Sequence, residues 1–331
     1  MTNKALVGYW AKRFLFEYLV MERNLSHNTQ SSYRDMLVLL LPYASAQIKK
    51  SVDLIEITDL SPQLFREFLT HLEQHRHCSA VTRNQRLGAV HALARFIGAH
   101  HPEYLEWCSQ ICSIPFKKTT RVCVTYLEKI EMDALLAAPD RNTPQGQRDY
   151  VTLLFLYNSG ARVSEAAKLK ITDIDWYTQS VRINGKGNKQ RICPLWPLTI
   201  EQLRLVTSTR GLDQQVFINR NGQPITRFGV HTLVERNSNK AAIKVPSLST
   251  KQVSPHVIRH TTATHLLRAG VDINTIRAWL GHVSINTTNI YAETDLETKA
   301  RALLTCAPGP EGDTTSHWRR QPGVMEFLRK L

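Results

Sequence analysis

The sequence predicts a mainly α-helical protein with a small β-sheet, organised as two domains. Three observations lead there. Its 331 residues are more than one domain of roughly 100–200 residues needs. Apolar residues recur at helical spacing along much of the chain. The period changes to two where Val181-Arg182-Ile183 and Arg191 to Leu195 flank a glycine-rich turn, the pattern of a β-hairpin.

Taken in order, residues 5–23 carry Leu6, Trp10, Phe14 and Tyr18 as a helical stripe. Ser26 is positioned as an N-cap for a second helix to about Leu41, which Pro42 should stop. Ser61-Pro62 opens a third helix carrying Leu64, Phe65, Phe68, Leu69 and Leu72. Ser79 caps a fourth, with Leu87, Val90, Leu93, Ala94 and Ile97 on one side and Arg83, Arg86 and Arg95 elsewhere on it. These elements give a helical domain over 1–106. Periodicity then fades, Pro115 breaks any helix, and Lys117, Lys118 and Arg121 cluster. Residues 107–124 therefore read as an extended basic linker. A solvated loop accounts for that cluster as well as DNA contact does.

The second domain spans 125–306. Helices are expected from Tyr126 to about Ala138, over 146–159, and again from 228 onward, with the hairpin between. Residues 307–331 form a tail. Its first part, PGPEGDTTS, is a linker, and Val324, Phe327, Leu328 and Leu331 stand at helical spacing in its last part.

Charge narrows the partner. Lys and Arg total 42 against 28 Asp and Glu, giving +14 and a pI of about 9.6. Residues 1–106 hold 12 basic and 10 acidic residues, so +12 of the excess lies beyond them. Such an excess favours a polyanion. No apolar run approaches the roughly 18 residues of a membrane span. The start, MTNKALVGYWAKRF, lacks the shape of a signal peptide, so a cytoplasmic protein is expected. Six cysteines show no CxxC pair and read as reduced thiols with no metal site.

There is no GxxxxGK[ST] loop, no HExxH and no GxSxG. If the partner is a nucleic acid, its phosphate charge would then have to be met by protein cations, and three segments offer them. In NSGARVSEAAKLKITDID, Gly160 precedes Arg162, which opens a helical run with Glu165 three residues on. In SPHVIRHTTATHLLRAG, Ser254-Pro255 starts a helix, Gly270 stops it, and His256 and Arg259 share a face as i and i+3. In WLGHVSINTTNIYAET, Gly281 ends a short helix, His282 sits in the turn, and Ser284 caps a helix carrying Tyr291.

A phosphodiester under attack becomes more negatively charged. Guanidinium forks match its oxygens and stay protonated. A phenol with a pKa near 10 needs a proton acceptor and nearby cations to become a nucleophile. The departing 5′ oxygen needs a proton, which Lys186 in the hairpin turn is placed to bring. Singly, each residue also has an ordinary structural reading: a surface arginine, a solvated lysine, a capping histidine, a packed tyrosine.

Together, GARVSE, GKGNKQR, HVIRH and LGHVSINTTNIY, in this order, resemble the tyrosine recombinase (phage integrase) family, most closely its Xer-like bacterial branch. The resemblance runs over about 7–300 and includes ERNLSHNTQSSYRD in the helical domain. It implies a core-binding domain and a catalytic domain forming a C-shaped clamp on DNA. It also implies that Arg162 and Arg259 clamp the scissile phosphate and that Lys186 acts as general acid. His256 would assist proton transfer, His282 would bond the phosphate, Glu165 would support the site, and Tyr291 would be the nucleophile. The reaction implied is strand exchange through a 3′-phosphotyrosine, with no metal, nucleotide or other cofactor. Four copies on two double-stranded DNA sites would carry it out, with the tail docked on a neighbour and accessory proteins in some systems. Arg83, Arg86, Lys117, Lys118 and Arg121 are the candidate DNA contacts outside the catalytic set. Forty residues follow Tyr291, more than compact Xer-like members carry, which favours a mobile-element integrase. The alternatives are an Xer-type resolvase, a type IB topoisomerase and a non-catalytic DNA-binding protein.

Overall fold

The computed structural model describes residues 4–119, 124–185 and 189–281. The chain divides into two compact units, up to Val122 and from Cys123, and each is built around its own apolar core.

In the first unit, α1 (Val7–Arg13) runs directly into a π-helical stretch, Phe14–Glu22. Trp10 and Phe14 are buried as the stripe requires. The next core residue is Leu19 rather than Tyr18, because the wider i→i+5 turn of a π-helix shifts which side chain returns to the core face. The second helix, α2, spans His27–Ile48 and continues through Pro42, where the sequence predicts a stop. The proline's missing donor would serve the carbonyl of Val38, four residues back. Val38 and Pro42 both lie exposed, so water can take that carbonyl. Leu37, Leu40 and Ala44 meanwhile stay buried across the proline. Packing on both sides outweighs a loss on the wet face.

Helices α3 (Pro62–Gln74) and α4 (Ala80–His100) begin as read from the sequence. Ser61 Oγ accepts from the Leu64 N–H at 3.1 Å, and Ser79 Oγ from that of Thr82 at 3.3 Å. The start of the expected linker is helical instead. Helix α5, Leu105–Cys112, buries Ile111, with Ile114 just beyond it, and Trp107 Nε1 donates to the Leu60 carbonyl at 2.8 Å. Eight residues are too few to show a clear period, but their apolar side completes the core of α3 and α4.

The second unit is assembled around α7 (Pro144–Ser159), in which nearly every residue from Asp149 on is buried. Helix α6 (Lys129–Ala137) precedes it, and α8 (Val163–Lys168) follows a sharp turn. Then come β1 (Ile174–Asp175), β2 (Ser180–Asn184) and β3 (Gln190–Pro194), an antiparallel sheet in the order β1-β2-β3. Val181 pairs with Cys193 and Ile183 with Arg191, so Val181, Ile183 and Cys193 face the core. The remaining helices are α9 (Pro197–Thr207), α10 (Arg227–Ala242), α11 (Pro255–Arg268) and α12 (Ile273–Leu280). Strand β1 and helix α9 are absent from the sequence reading. The first has two residues. The second buries the polar Thr199, Gln202 and Thr207 beside Ile200 and Leu203, which blurs its stripe. No described helix is long and apolar enough to cross a membrane.

Candidate active site

The ends of α7 and α12 meet where α8 starts. Gly160 closes α7 in the left-handed conformation, φ 59°. A Cβ there would stand 2.6 Å from Leu280 Cδ2, so a side chain would strain the backbone and displace the buried Leu280 methyl. Two residues later Arg162 is the N-cap of α8. Glu165, in the first turn, accepts the Arg162 backbone N–H on Oε2 at 2.9 Å and the Arg162 guanidinium on Oε1 at 2.8 Å. Arg162 Nη2 also reaches the Gly281 carbonyl at 3.4 Å.

Glu165 is 8% exposed, and a second arginine shares it. Arg191, from β3, donates Nη2 to Glu165 Oε2 at 2.7 Å and Nε to the Trp279 carbonyl at 2.8 Å. Burial by itself would raise the Glu165 carboxyl. The hydrogen bond and charge of Arg191, then the backbone and side chain of Arg162, outweigh that and hold it below the usual carboxylate range.

Arg259 comes from α11 and is 3% exposed. Its Nη1 donates to the Gly160 carbonyl at 2.6 Å and its Nη2 to the Leu280 carbonyl at 2.7 Å. One guanidinium therefore ties together the C-terminal ends of α7 and α12, where unpaired helix carbonyls favour a cation. Three residues earlier on α11, the exposed His256 stacks on His260 with ring centroids 6.0 Å apart. Partial withdrawal from water, then the charges of Arg259 and Arg162, lower His256 from its ordinary value. Burial, then His256 and Arg259, push His260 down to about 4. Both shifts favour the neutral imidazole, the form that can accept a proton.

Of the predicted set, the structure brings Arg162, Glu165 and Arg259 into one network, with His256 on the Arg259 helix. Lys186, His282 and Tyr291 lie outside the described residues, as do Arg121 and the tail. Arg191 was missed as a site residue. Its signal is the alternation of β3: residues 191, 193 and 195 point inward, and an arginine at a core-facing position demands a buried partner. Among the described residues no group of three or more His, Cys, Asp or Glu is close enough to hold a metal ion.

The candidate DNA contacts of the first unit divide. Arg83 is 7% exposed and donates to Asn84 Oδ1 and to the Pro115 carbonyl, both at 3.1 Å. It is a buried tie rather than the surface cation the sequence suggests, because its α4 position faces the segment after α5. Arg86 bonds the Ser32 carbonyl at 3.3 Å. Lys117 is exposed and paired with Glu73 at 2.7 Å, and Lys118 is exposed.

Comparison with known proteins agrees with this architecture. Residues 125–297 match the Phage integrase family, and residues 12–100 match its N-terminal SAM-like domain. The chain is 35% identical to the integrase/recombinase y4rC of Sinorhizobium fredii across the full length of both. It is 31% identical to tyrosine recombinase XerD of Staphylococcus aureus over 83% of this chain and 90% of that one. Among solved structures, the fold is similar to the Tn1549 transposon integrase in complex with a circular-intermediate DNA. The TM-score there is 0.68 at 17% identity, over 90% of this chain and 99% of that one. The network around Glu165 thus sits inside a catalytic domain of known kind, and the chain belongs to the phage integrase, or tyrosine recombinase, family.

Proposed function

We propose that this protein is a site-specific DNA recombinase that breaks and rejoins strands through a covalent bond to Tyr291, in the integration or excision of a mobile element. The observation that carries the chemistry is the charge at the helix junction: Arg162 and Arg191 share the Glu165 carboxylate, and Arg259 lies on the Gly160 and Leu280 carbonyls at the helix ends beside it. That excess suits a phosphodiester gaining negative charge. Tyr291 attacks the scissile phosphorus, and its phenolic proton passes to the neutral His256. Arg162 and Arg259 hold the non-bridging oxygens, with His282 as a further donor. The bond to the 5′ oxygen breaks as Lys186 protonates it, leaving a 3′-phosphotyrosine and a free 5′ hydroxyl. Attack by the partner strand's 5′ hydroxyl reverses the step. The phosphotyrosine conserves the bond energy, so neither nucleotide nor metal ion is required in this scheme.

The mobile-element role is supported by the full-length similarity to an integrase/recombinase and by the long segment after Tyr291. Similarity to XerD supports a second reading, resolution of chromosome or plasmid dimers. In either role the enzyme would act as a tetramer on paired duplex sites, with the tail docked on a neighbouring copy. Tyr291→Phe tests the chemistry: DNA binding should persist while covalent attachment disappears, and a 3′-linked adduct formed by the Phe variant would sink the assignment. Cleavage should continue in excess chelator without nucleotide. Recombination of element-end sites, against sites at the replication terminus, separates the two roles.

A further inference from the structure

Beyond the residues that would touch the phosphate, one buried side chain joins three separate parts of the site. Arg191 leaves β3 with only 8% of its side chain exposed. It bonds Glu165 at the start of α8 and the Trp279 carbonyl near the end of α12. The backbone around it is fitted to that guanidinium. Gly281 takes φ 65°, and a Cβ there would stand 3.1 Å from Arg191 Nη1 and 3.2 Å from Arg191 Cδ. At the root of the hairpin turn, a Cβ on Gly185 would stand 3.4 Å from Glu165 Oε1 and 3.7 Å from Arg191 Nη1. The Gly281 backbone thus approaches the Arg191 side chain so closely that a Cβ would crowd it, while the Gly185 backbone lies in ordinary contact with the pair.

We propose that Arg191 is a positioning residue for strand cleavage, fixing Glu165, and through it the Arg162 guanidinium, against the carbonyl end of α12. This rests on the recombinase reading above. The two oxygens of Glu165 are divided: Oε1 takes the Arg162 side chain, while Oε2 takes the Arg162 backbone N–H and Arg191. Without Arg191, the buried carboxylate has Arg162 as its remaining guanidinium partner. It would hold that arginine more tightly and cancel more of its charge. Arg191 therefore does two things. It sets the rotamer of Glu165, and it offsets a negative charge that would otherwise compete with the DNA phosphate for Arg162. Loss of either shifts the clamp by a fraction of an ångström, enough to slow reaction by about 10- to 100-fold while leaving most DNA contacts in place.

The test uses the full-length chain and a duplex selected by that chain from a randomised pool. The duplex is nicked so that cleavage traps the covalent complex. Binding is measured by mobility shift and the adduct-forming rate at saturating DNA. Arg191→Gln should bind within about threefold of wild type and form adduct about 10- to 100-fold more slowly. Arg191→Lys, which keeps the charge and one bond, should recover part of the rate. Adding Glu165→Gln to Arg191→Gln should not slow the reaction further and should recover part of it, because the competing charge is gone. Wild-type rate in Arg191→Gln overturns the proposal, as does a loss of binding equal to the loss of rate. If Arg191→Gln does not fold, the same criteria apply to Arg191→Lys. Absence of adduct with the wild-type chain overturns the recombinase reading and this inference with it. Adduct formed equally by wild type and Arg191→Gln overturns the inference alone.

Discussion

Each unit contains a junction built on buried arginine, and the two are built differently. In the first unit Arg83 meets an amide oxygen and a carbonyl, at Asn84 and Pro115. Glu73, the nearby carboxylate, is engaged by Lys117. Burial lowers the Arg83 guanidinium from its ordinary value, with Glu73 acting in the other direction. In the second unit one buried carboxylate is shared by Arg162 and Arg191, and Arg259 lies against the carbonyls of Gly160 and Leu280. In the first arrangement one cation ties one segment down through neutral acceptors. In the second, two guanidinium groups share one carboxylate and a third holds two helix-end carbonyls. In the proposed function an arriving phosphate would join these cations. A shared carboxylate, rather than burial, separates the second junction from the first.

The sharpest way to break this comparison is Arg259→Ala. If the second junction serves an incoming phosphate, cleavage should fall by about 10³-fold or more, in line with removing one preorganised donor from a charged transition state. The same change strands the Gly160 and Leu280 carbonyls and should cost about 2–4 kcal/mol of stability. Denaturant unfolding and the trapped-adduct rate read the two effects separately. Arg83→Met should destabilise less and leave the adduct rate of the bound complex unchanged. Equal loss of rate in both variants would erase the distinction between the junctions.

Next in size is the pH response of stability. His260 is held near 4 by burial, by His256 and by Arg259, against about 6.5 when unfolded. Between those values the unfolded chain takes up a proton that the folded chain refuses. Stability therefore falls as pH drops from about 6.5 towards 4, by about 3 kcal/mol for this group. His260→Gln should flatten that part of the stability–pH curve. A curve of unchanged slope would show that His260 is not the refusing group. His91, in the first unit, is lowered mainly by burial, then by Arg95, and adds in the same direction.

Local rules carried much of this into the sequence. Ser61-Pro62, Ser79 and Ser254-Pro255 announce helix starts because a side-chain oxygen or an absent donor satisfies groups that every helix end leaves open. Arg162, Glu165, His256 and Arg259 were legible as a set because their motifs, taken in order, resemble those of a known family; singly, each has an ordinary structural reading. What escaped depends on contacts distant in the chain. Pro42 is tolerated because α2 is held by packing on the other face. Helix α5 forms because Ile111 and Trp107 find α3 and α4. Arg191 acquires its meaning from Glu165, 26 residues earlier, and from Trp279, 88 residues later.

The smallest effect tests the first junction alone. Asn84 uses its side-chain amide as a short strand: Nδ2 donates to the Lys117 carbonyl at 2.7 Å and Oδ1 accepts the Lys117 N–H at 3.0 Å. Both bonds lie at the surface, so their net contribution is about 1 kcal/mol together. Their local effect should be larger than their global one, because they are what holds Lys117 in register beside Lys118. Asn84→Ala should leave the unfolding midpoint within a few degrees of wild type. It should raise hydrogen exchange at the Lys117 amide about fivefold, the factor for 1 kcal/mol of local opening. Tryptic cutting after Lys117 or Lys118 should quicken in step, and half-site affinity should fall by no more than about threefold, since only the presentation of two surface cations changes. Unchanged exchange at Lys117 would mean that Arg83, through the Pro115 carbonyl, and the Lys117–Glu73 ion pair hold the segment without Asn84.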